Sequence, residues 1–194
     1  MMKFGRRTII MLIAALTAAI AAAVLVQVNS TSMADTKLLK MRSLSIVIRK
    51  STRVLEVYDG TRLVRSFEMA LGFAPDGDKE IEGDGRTPEG EFYVFTKNPK
   101  SRFHLSLGLS YPAPDDAARG FAGGLISREE HDEIIRSAKA KGMPPQKTKL
   151  GGEIYIHGGG TARDWTDGCV ALDNGEMTEL FAAIPVGTKV TILK

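Results

Sequence analysis

Residues 154–177, IYIHGGGTARDWTDGCVALDNGEM, contain most of the residues on which the fold and the chemistry of this chain depend. They hold the only cysteine of the chain, Cys169, and one of its three histidines, His157. Polar residues alternate with Ile154 and Ile156 up to the histidine, which predicts a β-strand that ends there. Three glycines follow, and Cys169 later begins a short apolar stretch. We therefore expect the fold to bring the histidine and the cysteine together.

A cysteine and a histidine in proximity can act as a nucleophile and its general base. A free thiol has a pKa near ~8.5, so little of it is ionised at neutral pH, and a neighbouring imidazole can take its proton. We predict Cys169 as the nucleophile and His157 as the base, with the backbone N–H groups of Gly168 and Cys169 as donors to an oxyanion. The competing interpretation is structural, because a lone cysteine among apolar residues is commonly a small buried hydrophobic side chain.

The N-terminus has the pattern of an export signal. Lys3, Arg6 and Arg7 precede the uncharged segment 9–28, whose length is that of a membrane-spanning helix. Small residues at 32–34 also fit a signal-peptidase site, so a signal peptide and an anchor both remain open, and the length favours the anchor. In either case the remainder is expected in the periplasm or cell envelope. Export favours a functional thiol, because one cysteine cannot form an internal disulfide.

The rest of the chain has the composition of one globular domain. Its 194 residues are 43% hydrophobic, and a net charge of +3 gives no reason to expect a nucleic-acid partner. We assign 1–28 to the anchor or signal peptide, 29–43 to a polar tether, and 44–194 to a catalytic domain. Strand patterns dominate this domain, and Asp59-Gly60 is a hairpin signal. The prediction is a mainly β, α+β fold, a β-sandwich with a few peripheral helices.

An insertion at 113–150 interrupts the strand pattern just before the His157 strand. Ser127–Glu130 has the sequence of a capping box and predicts one helix to about Lys141, where Gly142 ends it. The charged surface of this helix is typical of a solvated element. A long ordered segment so close to the site also fits a wall or lid of a substrate groove, and we expect the insertion to border that groove.

The segments around the histidine and the cysteine resemble the L,D-transpeptidase catalytic domain, also called the YkuD-type domain. That family has a His-Gly pair followed by a Ser/Thr-His-Gly-Cys box; here the pair is His157-Gly158 and the box is Thr166–Cys169. The opening hairpin and a Thr-Pro-x-Gly element within Gly85–Phe92 support the resemblance, which spans about 44–194. Two positions depart from the family pattern. Asp167 replaces the family's usual histidine, and Ala171 stands where many members have arginine.

The resemblance implies a β-sandwich of the L,D-transpeptidase type that transfers acyl groups between peptidoglycan stem peptides. Cys169 would attack the carbonyl before the terminal D-alanine of a tetrapeptide and form a thioester. The amine of a second stem would then convert the thioester into an L,D cross-link. His157 would be the general base, oriented by a backbone carbonyl near Gly158. The resemblance implies neither a metal nor a cofactor, and no obligate protein partner is inferred.

Three alternatives remain beside the transpeptidase. A hydrolase on the same bonds, an L,D-carboxypeptidase or amidase, would use the same thioester. A non-catalytic peptidoglycan-binding module could keep the fold. A metal site built from His157, Cys169 and a carboxylate is disfavoured, because the ligand spacing of such sites is missing.

Several polar and aromatic residues are predicted to contact the substrate. We expect Asp167 to point away from the thiol, because a carboxylate beside the sulfur would raise its pKa. Trp165 fits either the core or a stacking surface for the substrate. His104 shares a strand face with Ser106 and is predicted to line the groove, whereas His131 is expected to be solvated. The full set of predicted substrate-binding residues is Trp165, Asp167, Thr166, His104, Arg86 and Tyr111.

Overall fold

The computed structural model describes residues 43–194, so the predicted membrane segment and nearly all of the tether lie outside the described residues. Within residues 43–194, no helix combines the length and the hydrophobicity that a membrane span needs. In chain order the elements are β1 (Leu44–Arg49), β2 (Val54–Asp59), β3 (Arg62–Glu68), β4 (Gly90–Ser101), β5 (His104–Leu109), α1 (Pro114–Ala122), α2 (Arg128–Ala140), β6 (Tyr155–His157), β7 (Val170–Ala171), α3 (Asn174–Ala183) and β8 (Lys189–Leu193).

The eight described strands form one curled sheet in the order β3-β2-β1-β8-β4-β5-β6-β7. Most neighbours are antiparallel, whereas β1–β8 and β6–β7 are parallel pairs. The two ends of the sheet approach each other, because residues just after β3 bridge to the other end: Ala70 pairs with Ala171, and Gly72 with Thr166. The prediction of a mainly β, α+β domain with a few peripheral helices is confirmed.

The core follows from the alternation of side chains along the strands. Ile46 and Ile48 of β1 are fully buried and lie opposite Val57 and Leu55 of β2, which are also fully buried. Successive strand residues point to opposite faces, so the alternating apolar positions of both strands meet on one face. Each such burial contributes about 1.5–3 kcal/mol. These pairs make a rigid base for the far end of the sheet, where the functional residues lie.

The insertion contains two helices, not the single predicted one. The first helix, α1, lacks the usual sequence signal, because Ala113 stands at its N-cap where Ser, Thr, Asp or Asn is usual. The signal was Pro114 at the first helical position, followed by acidic residues in the first turn. Asp116 takes over the cap, since its carboxylate accepts a hydrogen bond from the N–H of Ala113 at 2.8 Å. The two helices enclose a small apolar cluster of their own, formed by Ala117, Ile126, Ile134 and Leu150.

Candidate active site

A cavity of about 990 Å³ opens at the β5–β6–β7 end of the sheet, and both predicted catalytic residues line it. The lining comprises the β4–β5 hairpin, β6 and the chain before β7. The loop around Lys79 and the loop that follows α2 complete it. Gln146 and Lys147 of that second loop line the cavity, so the insertion borders it through this loop rather than through its helices.

The register of β6 and β7 places Cys169. Ile156 pairs with Val170 in this parallel ladder, so Cys169, one residue earlier, lies beside Tyr155. The sulfur of Cys169 accepts a hydrogen bond from the N–H of Tyr155 at 3.4 Å. The thiol in turn donates to the carbonyl of Glu153, also at 3.4 Å. The main chain that leads into β6 therefore holds the half-buried thiol in its resting position.

A tight turn from Thr166 to Cys169 presents the cysteine to the cavity. The hydroxyl of Thr166 donates to the Cys169 carbonyl at 2.7 Å and accepts from the N–H of Gly168 at 3.2 Å. Gly168 has φ +125°, and a Cβ there would lie 2.6 Å from the carbonyl oxygen of Arg86, so only glycine fits. The N–H of Gly168 is thus used inside the turn. The N–H of Cys169 bonds to no other described residue.

His157 ends β6 and is almost completely buried. Its Nδ1 lies 2.5 Å from the carbonyl oxygen of Gly158. A carbonyl oxygen only accepts, so Nδ1 carries the proton, and Nε2 of the neutral ring is free to act as a base. A Cβ on Gly158 would collide with the side chain of Asn174, which accepts from the N–H of Gly159. Glycine at 158 therefore allows α3 to pack against the loop that orients the imidazole.

Two aromatic side chains hold the imidazole ring in place. Phe103 stacks on His157 with ring centroids 4.6 Å apart and an interplanar angle of 21°. Trp165 meets the same ring edge-on at 5.6 Å and donates its indole N–H to the carbonyl of Gly160 at 3.1 Å. Stacked and edge-to-face pairs of this kind stabilise by about 0.5–1.5 kcal/mol beyond burial. Trp165 lines the cavity as well, so it packs on the histidine and faces the cavity at once.

The surroundings keep both groups neutral. Burial lowers the pKa of His157 below its ordinary value, and the positive charge of Arg102 lowers it further, against the hydrogen bond to Gly158. Burial raises the pKa of the Cys169 thiol to about 11, and the carboxylate of Asp167 adds to the increase. At neutral pH the site thus holds a thiol and an uncharged imidazole.

The resting thiol does not contact the imidazole. Within the part of the chain that the structure describes, Cys169 Sγ hydrogen-bonds to main-chain groups of Glu153 and Tyr155 and not to His157. Cys169 lies beside Tyr155 in the β6–β7 ladder. Tyr155 and His157 are two residues apart on β6, so the side chains of Tyr155 and His157 lie on the same face of the strand. The sulfur must therefore turn from the Glu153 carbonyl toward Nε2 before the imidazole can take its proton.

Three of the six residues predicted to bind substrate line the cavity, namely Trp165, Thr166 and Asp167. The hydroxyl of Thr166 is occupied within the turn, so this residue positions Cys169. Asp167 is exposed and hydrogen-bonds to no other described residue. Its charge nevertheless contributes to the raised pKa of Cys169, so the carboxylate is near enough to affect the thiol.

The other three predicted residues are not among those that line the cavity. His104 has φ +73°, and its Nε2 lies 2.8 Å from the hydroxyl of Thr178 on α3. The guanidinium of Arg86 lies against the loop at Asp78–Glu80. Tyr111 is fully buried and donates to the carbonyl of Leu150 at 2.9 Å. His131 is partly buried, and its Nδ1 lies 2.8 Å from Asp132 Oδ1.

Sequence reasoning did not find Phe103, Arg102, Ser106 or Tyr155 as site residues. Ser106 is buried and lies opposite His157 in the β5–β6 register. The pairing of these strands brings the hairpin to the histidine, and no local pattern encodes it. Among the described residues, no group of three His, Cys, Asp or Glu side chains is placed to hold a metal ion.

A family model described as the L,D-transpeptidase catalytic domain, YkuD, matches residues 43–192. The chain belongs to this L,D-transpeptidase family. The match includes both halves of the site and all eight described strands except the last residue of β8. No curated protein matches the chain in sequence.

Solved structures share the fold of this family member. Pgp2 from Campylobacter jejuni, a helical cell shape determining protein, is 21% identical, with a TM-score of 0.56 over 84% of this chain and 55% of its own. Bd1075 from Bdellovibrio bacteriovorus is 19% identical, with a TM-score of 0.51 over 79% of this chain and 48% of its own. An L,D-transpeptidase from Xylanimonas cellulosilytica is 18% identical, with a TM-score of 0.44 over 79% and 62%. The chain thus spans less than two thirds of each of these proteins.

Proposed function

We propose that this chain is a cysteine acyltransferase that cross-links peptidoglycan stem peptides through a thioester on Cys169. The observation that carries the proposal is the placement of the only thiol and an imidazole with an unprotonated Nε2 on adjacent strands of one cavity. Family membership supplies the substrate class. Activated nucleophiles of this kind need a base and a donor for the oxyanion, and the proposal gives these roles to His157 and to the N–H of Cys169.

The first step is proton transfer coupled to attack. Substrate binding turns the sulfur from the Glu153 carbonyl toward His157, as apo sites often tighten only in the complex. Nε2 takes the thiol proton while Sγ bonds to the carbonyl carbon that precedes the terminal D-alanine. The carbonyl electron pair moves to oxygen, and the oxyanion accepts a hydrogen bond from the N–H of Cys169.

Collapse of this intermediate releases the leaving group. The carbon–nitrogen bond breaks, His157 returns its proton to the departing amine, and D-alanine leaves. The thioester on Cys169 then meets the amine of a second stem. Nε2 accepts a proton from that amine, the new amide bond forms, and the thiolate regains the proton. Bonds and protons balance without a cofactor.

A hydrolase on the same bonds is the second candidate function. Three exposed carboxylates line the cavity, those of Glu82, Glu153 and Asp167, and a carboxylate can act as general base toward water. If water reaches the thioester before a second stem does, the product is a tripeptide rather than a cross-link.

Incubation of the chain with purified tetrapeptide muropeptides, followed by mass spectrometry, tests the proposal. A cross-linked dimer with released D-alanine is the expected product. Tripeptide alone would identify the hydrolase. Intact substrate, together with no thioester adduct on the protein, would leave a non-catalytic peptidoglycan-binding module as the better description. Cys169→Ala is the matched control, because it removes the nucleophile and little volume.

We further propose that the chain acts outside the cytoplasmic membrane, held there by residues 9–28. The support is the basic flank before a twenty-residue uncharged segment. A reporter that is active only in the cytoplasm, fused after Lys194, should stay silent. An active fusion would place the domain in the cytoplasm.

A further inference from the structure

The turn between β4 and β5 carries a cation that has no anionic partner among residues 43–194. Arg102 is exposed and lines the cavity. Among residues 43–194 no carboxylate forms an ion pair with it, although most of the other described arginines have such a pair. Its one specific contact is the ring of Phe103, with the guanidinium carbon 4.8 Å from the ring centroid. The guanidinium is therefore held at the cavity and is free to bind an anion.

The same phenyl ring links this cation to the catalytic histidine. Phe103 contacts the guanidinium on one side and stacks on the imidazole of His157 at 4.6 Å. The backbone adds a second link, since the N–H of Gly158 donates to the carbonyl of Phe103 at 3.0 Å. The charge of Arg102 is accordingly felt at the imidazole. The position of Arg102 relative to His157 is thus set by packing and by the main chain.

The reaction chemistry indicates which part of the substrate lies there. If the proposed function holds, His157 returns its proton to the amine of the leaving D-alanine, so that nitrogen lies next to Nε2. The carboxylate of the same D-alanine is only two covalent bonds from the nitrogen. We propose that Arg102 binds the terminal carboxylate of the leaving D-alanine. Arg102 is then a specificity-determining residue that selects stems with a free C-terminus.

Other cations of the cavity are less suited to this role. Lys79 is buried, and its ammonium is held by Asp84 at 2.8 Å and by the Ile81 carbonyl at 3.0 Å. Lys147 lies in the loop that leads to Glu153, whose carbonyl accepts from the Cys169 thiol, and not in the β4–β5 hairpin that contacts His157. Lys100 shares the hairpin with Arg102 but has no contact with the Phe103 stack. A planar guanidinium also binds a carboxylate through two parallel hydrogen bonds, which an ammonium cannot do.

The test compares two substrates on the full-length protein. One is a tetrapeptide stem with a free terminal carboxylate, and the other is the same stem with a C-terminal amide. Release of D-alanine or D-alaninamide gives kcat/KM for each. The amide also changes the leaving group itself. The informative quantity is therefore the ratio of kcat/KM for the free acid to kcat/KM for the amide, and this ratio is compared between each variant and the wild type. Thermal unfolding shows that each variant is folded.

We expect Arg102→Gln to lower this ratio by about ten- to a hundredfold, as expected for the loss of a charge-assisted hydrogen bond. Arg102→Lys should recover part of it. Lys100→Gln, on the same hairpin, and Arg136→Gln, on α2 away from the cavity, are the matched charge controls and should leave the ratio near that of the wild type.

Two results would overturn the assignment. Arg102→Gln with an unchanged ratio would show that the guanidinium does not recognise the terminal carboxylate, and if kcat/KM falls equally on both substrates, Arg102 only supports Phe103 and His157. A larger change in Lys100→Gln would assign the subsite to that lysine. A wild type inert on both stems, by contrast, would refute the proposed function itself and this inference with it.

Discussion

The two halves of the site lie on neighbouring strands, yet their surroundings differ in kind. Main-chain groups of Glu153 and Tyr155 hold Cys169, and a nearby carboxylate raises its pKa. Aromatic rings hold His157, and a nearby guanidinium lowers its pKa. A negative charge thus raises the pKa of the thiol, and a positive charge lowers the pKa of the imidazole. Because each charge reinforces burial, both groups stay neutral at rest.

This comparison indicates how the site works. A thiolate–imidazolium pair would need a lowered thiol pKa and a raised imidazole pKa, and both shifts run the other way. If Cys169 is the nucleophile, as proposed, these pKa directions favour proton transfer during the attack over a preformed ion pair. We therefore expect the thiol of the free enzyme to react slowly with small electrophiles at neutral pH.

The largest effect should come from the cysteine half. Cys169→Ala removes the sulfur, so we expect no detectable release of D-alanine and no thioester adduct in an intact-mass spectrum. A carbapenem, which acylates the nucleophile in this family, should add its mass to the wild type only. The circular dichroism spectrum should match that of the wild type, because Cys169 is only half-buried. A folded Cys169→Ala protein with full activity would refute the nucleophile assignment.

Removal of the base should cost less than removal of the nucleophile. His157→Ala leaves the thiol and the Cys169 N–H in place, so acylation should slow by about 10²–10⁴-fold, the usual contribution of general-base catalysis. Single-turnover adduct formation with a tetrapeptide measures this rate. His131→Ala on α2 is a suitable control, because this histidine pairs with Asp132 and does not line the cavity. A His157→Ala rate within twofold of the wild type would remove the histidine from the mechanism.

The pH dependence of acylation should follow the histidine. His157 acts as a base only when neutral, so kcat/KM should fall about tenfold per unit as pH drops below its pKa, and this limb should lie below pH 6.5. Alkylation of the free enzyme by iodoacetamide should instead keep rising until about pH 11, where the thiol ionises. A thiol that titrates below pH 8 would indicate a preformed ion pair.

The smallest effect should come from the carboxylate beside the thiol. Asp167→Asn removes a negative charge that raises the pKa of Cys169, so the pKa should fall and alkylation at pH 8 should quicken by a few-fold. Asp76→Asn, an exposed change outside the cavity lining, is the matched control. Slower alkylation in Asp167→Asn would reverse the proposed sign of this interaction.

The insertion, like the site, has one part that local sequence patterns predict and another part that they do not. Its second helix was predicted from a capping box, and the structure contains that box, with Ser127 and Glu130 bonded to each other's backbone N–H. Its first helix was missed because the cap is made by Asp116 three residues inside the helix. The expectation that the insertion borders the groove agrees with the position of Gln146 and Lys147.

The sequence by itself determined the strands, through the alternation of apolar and polar residues, and the candidate pair His157 and Cys169, through their residue types and spacing. The sequence also places Gly168 directly before Cys169, and the crowded turn requires a glycine at that position. These features depend on neighbours along the chain, and such neighbours are visible in a sequence.

Only the tertiary structure decided which side chains surround that pair. The β5–β6 register brings Phe103 onto His157, the positive φ of His104 turns that histidine to α3, and packing buries Tyr111 in the core. The resting position of the thiol on the Glu153 carbonyl has the same origin. Strand pairing and packing join residues far apart in the chain, so their geometry follows from the whole fold and not from any local pattern.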